Sequence, residues 1–127
     1  MSTTPTFESV TGQRTVLLTT HRRDGSEVPT PVNIAVEGDH AYVRSWRSAG
    51  KTKRILRDPN VDLAPSTYAG KPKGPAMHVH ARLIEGDEAR HAAELIDRKY
   101  RILQGVMVPL YHKLRHLETV HFELTAA

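Results

Sequence analysis

Cysteine is absent from this chain of 127 residues, which excludes disulfides, thiolate metal centres and cysteine nucleophiles. A chain with no disulfide framework suits a cytoplasmic setting, and that is the expected location. Long apolar runs are missing too. None approaches the roughly 18 residues of a membrane-spanning helix, so no membrane partner is expected. Aromatic residues are scarce, with one Trp, two Phe and four Tyr. They do not interleave with basic positions as base-stacking platforms would. No helix-turn-helix pattern is visible either, so nucleic acid is not an expected partner. The first residues, Met1 to Phe7, lack the basic-then-apolar order of a signal peptide. Residues 1–8 read as a frayed tail on a single domain spanning 1–127.

What the chain does carry is positive charge, +4 with neutral histidines. A net positive field draws anionic ligands, phosphorylated cofactors among them. The hydropathy pattern is mainly that of strands. Thr15–Thr20 is short and β-branched, and Asp24-Gly25 after it favours a hairpin turn. The return strand runs over Val28–Val36, with Pro29 and Pro31 placing it at an edge or a bulge. A turn at Glu37–His40 leads to a third strand, Ala41–Trp46, so the three read as a meander. Ala41, Val43 and Ser45 share one face of that strand, and Tyr42, Arg44 and Trp46 the other. Val61–Pro65, Met77–Leu83 and Thr119–Leu124 are further strands, the last two strictly alternating.

Helices are predicted at Ser48–Arg57, Asp87–Gln104 and Pro109–Leu117. The longest repeats Ala89, Ala92, Ala93, Ile96 and Tyr100 on one face, and Asp87 and Glu88 at its start suit the helix dipole. Tyr68–Pro75 is a loop. Consecutive strands joined by short turns argue for an antiparallel barrel of six or more strands with two to three helices.

The functional signal lies at Ser48-Ala-Gly-Lys-Thr-Lys-Arg54. Ser48 is the expected N-cap. Lys51, Thr52, Lys53 and Arg54 follow at the start of the helix, where the dipole is positive and cations are misplaced. A bound anion resolves the conflict, because free N–H groups, a hydroxyl and cationic side chains converge on it. Gly50 would allow a ligand close to the backbone. The bland alternative is a solvated basic patch, and position alone leaves both open.

The ordered set of motifs resembles the flavin and deazaflavin oxidoreductases of the pyridoxamine-5′-phosphate-oxidase-like (PPOX) class, which share the FMN-binding split β-barrel. It is most similar to their small coenzyme F-420-dependent subgroup. The residues that carry this are Asp24-Gly25 with Pro31-Val32, Tyr42-Val-Arg44, Gly50–Arg54 with Arg57-Asp-Pro59, Leu63-Ala-Pro65, Gly70-Lys71 and Arg98-Lys-Tyr100. They extend over nearly the whole chain.

The resemblance implies a homodimer with a cofactor groove at the subunit interface. It implies that Lys51, Thr52 and Lys53 hold the cofactor phosphate, that Pro31, Val32 and Asn33 lie along the tricyclic ring, and that Ser45 and Trp46 complete the wall. The cofactor it favours is coenzyme F-420, an 8-hydroxy-5-deazaflavin, with FMN as the alternative. Arg44, Arg47, Arg57, Lys71 and Lys73 would suit the carboxylate tail of F-420. The activity implied is hydride transfer to a small organic substrate; a non-catalytic flavin- or deazaflavin-binding protein would share the same contacts. Family members often have an aromatic residue where this chain has Asn33, and the subgroup has Cys where it has Ser66. The cofactor would carry the chemistry, so no protein nucleophile is assigned. Tyr68 and Tyr111 are the candidate proton donors.

Eight histidines raise the question of a metal. His78 and His80 share a strand face and His112 and His116 a helix face, but no carboxylate stands at a fixed offset to either pair. These histidines read as the polar faces of amphipathic elements, and no metal is expected.

Overall fold

A computed structural model describes residues 7–104 and 119–127. The predicted helix Pro109–Leu117, with Tyr111, His112 and His116, lies outside them, as do residues 1–6.

The inward side of one curved sheet is built by alternation. Val16, Leu18 and Thr20 of β1 (Val16–His21) are buried while the residues between them are partly exposed. β6 (Met77–Ile84) and β7 (Thr119–Ala126) likewise turn Val79, Ala81, Val120, Phe122 and Leu124 inward. Each such Val, Leu or Phe side chain taken from water contributes about 1.5–3 kcal/mol. All strand pairings are antiparallel, and the sheet has seven strands in the order β2-β1-β5-β6-β7-β4-β3. This is the mainly β split barrel expected from the sequence.

The predicted return strand departs from the expected meander. It breaks at Asn33 into β2 (Glu27–Val32) and β3 (Ile34–Glu37). β2 pairs with β1, and β3 with β4 (His40–Trp46). Two consecutive pieces of chain therefore form the two opposite edges of the sheet. Pro29 and Pro31 fall in the edge piece, as their missing N–H groups require. Val32 and Ile34 both turn into the core across the break. Two side chains of α3 (Gly86–Gln104) hold the broken backbone. The Tyr100 hydroxyl accepts from Ile34 N–H at 2.7 Å and lies 2.8 Å from the Arg14 carbonyl. Lys99 Nζ donates to the carbonyls of Ile34 and Gln13 at 2.6 and 2.7 Å.

α3 packs outside the sheet, where Ala92, Ile96 and Tyr100 meet Ala35, Tyr42 and Ile84. Tyr42 is thereby buried on the face opposite Val43, so β4 is covered on both sides. The expectation of a frayed tail over residues 1–8 is corrected at its end. Phe7 is 1 % exposed, and a short α1 (Glu8–Thr11) brings Val10 into the same core. Residues 7–11 have too few apolar positions for a period to show.

Candidate cofactor groove

β4 runs into α2 (Gly50–Arg57) with three residues between them. The helix N-cap is Ala49 and makes no side-chain bond, which corrects the expected Ser48 cap; Ser48 is exposed. Thr52 anchors the helix start instead. Its hydroxyl donates to the Trp46 carbonyl at 2.6 Å and lies 2.7 Å from Ser45 Oγ. Thr52 is 1 % exposed. It therefore positions α2 on β4 and does not itself line the groove.

Arg54 folds back over the start of its own helix. Its Nε donates to Thr20 Oγ1 at 2.7 Å, and its guanidinium fills the space beside Gly50, where a Cβ would stand 2.9 Å from Nη1. The room expected at Gly50 for a ligand is taken by this cation. Lys51 is half-buried, and desolvation, with the nearby Arg54 charge second, holds its ammonium below the usual lysine range. Among the described residues neither Lys51 nor Arg54 has a carboxylate partner, and no hydrogen bond to Lys51 is found. Lys53 is exposed.

Beside this charge lies a groove of about 280 Å³, lined by Pro31, Val32, Asn33, Arg44, Ser45, Trp46, Lys51, Ile96 and Thr119. The structure brings together Pro31, Val32, Asn33, Ser45, Trp46 and Lys51 of the expected set. Ser48, Gly50, Thr52, Lys53 and Arg54 lie on α2 or its approach and do not line the groove. Ile96 and Thr119 were not foreseen. Only the packing of α3 and the β4–β7 ladder brings them there, and neither carries a local motif. Arg44 was foreseen as a nearby cation. Its Nη2 donates to Asp97 at 2.9 Å and its Nε to His121 Nε2 at 3.1 Å. His121 is 8 % exposed. Burial, then the Arg44 charge, pushes its pKa down to about 4, so it stays neutral and accepts from Arg44.

Among the described residues no helix is long and apolar enough to cross a membrane. His78 and His80 are exposed, as a polar strand face predicts.

No family model matches the sequence, and no curated protein does. Solved structures do match. A proposed pyridoxamine 5′-phosphate oxidase from Listeria innocua is 17% identical with a TM-score of 0.65, over 94% of this chain and 89% of that one. The heme storage protein HutZ of Vibrio cholerae is 14% identical with a TM-score of 0.67, over 94% and 86%. An FAD-binding protein of Mesorhizobium loti is 14% identical with a TM-score of 0.63, over 100% and 91%. This chain has the split β-barrel fold that these proteins share.

Proposed function

We propose that this chain is an oxidoreductase of the PPOX class that holds the deazaflavin coenzyme F-420 in the groove and serves hydride transfer to a small organic substrate. The observation that carries the reading is Lys51. A half-buried ammonium with no counter-ion among the described residues, beside a second cation and against a concave wall, is costly unless an anion completes it. Lys51 and Lys53 would hold the cofactor phosphate, with Arg54 and the amides of the uncapped helix start beside them. Pro31, Val32 and Asn33 would lie along the ring at the strand break, and Ser45 and Trp46 would form the facing wall. Ser48, Gly50 and Thr52 would shape the phosphate end. When bound, the deazaflavin supplies a hydride, because carbon replaces the flavin nitrogen through which single electrons pass. Tyr68 is 87% exposed and does not line the groove, so no proton donor is assigned to it.

Matched fluorescence titrations with coenzyme F-420, FMN and heme at one salt concentration test the reading. F-420 is expected to bind more tightly than the other two. FMN binding more tightly would move the assignment to the flavin-dependent alternative of the same fold, and heme alone would overturn it. Each charge-assisted bond contributes about 1.5–3 kcal/mol. Lys51→Ala with Lys53→Ala is therefore expected to weaken binding tenfold or more, and unchanged affinity would remove the phosphate assignment. Oxidation of the reduced cofactor by an added acceptor, followed by absorbance, separates an enzyme from a storage protein.

A further inference from the structure

A second polar cluster lies at the other end of the β1–β2 ladder from the groove residues Pro31 and Val32. His21 and Glu27 are paired across β1 and β2, and Asp62 of β5 (Asn60–Pro65) is paired with Thr19, two residues before His21 on the same face. Strand register thus places His21, Glu27 and Asp62 on one side of the sheet as direct and diagonal neighbours. One ligand atom from each lies within 4.8 Å of the other two.

The tautomer of His21 is set from outside the cluster. Its Nδ1 is 3.1 Å from the carbonyl oxygen of Asn60, which can only accept, so Nδ1 carries the proton. In the neutral ring Nε2 is then a lone pair, facing Glu27 Oε2 at 3.8 Å, beyond hydrogen-bond reach. A lone pair and two carboxylates therefore face one another. A cation placed among them would take a ligand atom from each. A backbone carbonyl on the far ring nitrogen is the arrangement that orients histidine ligands on metals. The spacing also suits a metal: two ligand atoms each about 2.1 Å from a tetrahedral ion lie about 3.4 Å apart. Asp62 is only 16% exposed and accepts from His78 Nδ1, which fixes its carboxylate.

We propose that His21, Glu27 and Asp62 bind a first-row divalent cation, with Zn²⁺ as the probe because it takes both imidazole nitrogen and carboxylate oxygen as ligands. The ion would tie edge strand β2, paired only with β1 among the described residues, across to β5. The site is independent of the groove and of the function proposed for it.

The experiment is calorimetric titration of the untagged, chelator-treated chain with Zn²⁺ at pH 7.5. One equivalent is expected to bind, and His21→Gln and Glu27→Gln are each expected to weaken it at least tenfold. His80→Gln, an exposed side chain of the neighbouring β6, is expected to leave it unchanged. Circular dichroism of each variant confirms that it folds. Co²⁺ provides a second readout, through visible bands that shift on imidazole ligation and vanish in His21→Gln. Absence of Zn²⁺ binding, or binding that survives His21→Gln, overturns the site and leaves a cluster of polar side chains on the sheet face.

Discussion

Tyr100 shows how one hydroxyl can serve a site it does not line. It accepts from the N–H of buried Ile34, the first residue after the break at Asn33. Tyr100→Phe keeps the ring and leaves a buried N–H without its partner, which costs about 1–3 kcal/mol. Urea unfolding is expected to show that loss, and a change below about 0.5 kcal/mol would mean the break holds without the hydroxyl. At this scale the sequence was readable by residue type and less so by role. The basic cluster drew notice to Lys51 as a phosphate ligand, since a cation at a helix start is a local conflict, and Lys51 lines the groove. Ser48 was the cap expected on paper, and Thr52 holds the helix start instead. The choice between them depends on the distance from Thr52 to the Trp46 carbonyl, which a linear pattern does not contain.

The strands were legible where they alternate, as in β6 and β7, because one face of each meets the core and period two records it. The break at Asn33 was not legible. Val28–Val36 reads as one strand, and what divides it is a helix more than sixty residues further along the chain. That helix, α3, is also tied to the sheet through Arg44, which bridges Asp97 and His121. His121 gives this docking a pH dependence. Its pKa is about 4 in the folded chain against 6.5 unfolded. Between these values the unfolded chain binds more protons, so stability rises with pH. The contribution is fully present above pH 6.5 and is lost as pH falls toward 4. At 1.36 kcal/mol per unit it amounts to about 3 kcal/mol at most. Urea titrations at pH 7 and pH 5 are expected to show wild type losing more stability than His121→Gln, which keeps an acceptor for Arg44 without titrating. Equal losses would place the acid sensitivity elsewhere.

At the scale of the whole molecule, the groove is small for its proposed occupant. Its 280 Å³ falls just below the range of about 300–1,000 Å³ usual for ligand pockets. A second copy of the chain would supply the missing wall. Among the described residues, Leu56 on α2 and Tyr68 in the loop after β5 are the large apolar side chains left exposed, at 57% and 87%. Light scattering is expected to give twice the 14.2 kDa chain mass. A monomer that still binds the cofactor tightly would show that one chain suffices. The barrel itself was legible from the sequence, because short turns and alternating strands leave few other architectures. The order of the strands was not, since it depends on which edges the broken strand joins.

The stretch from Glu27 to Glu37 acts as a drawstring around the barrel. Its two arms run along opposite rims, and Asn33 is the knot. One arm is stiffened by Pro29 and Pro31, and the other is held at its root by Lys99 and Tyr100. The two edges of an otherwise open sheet are thus covalently joined at one residue, so a shift of either edge at that end is passed to the other through Asn33.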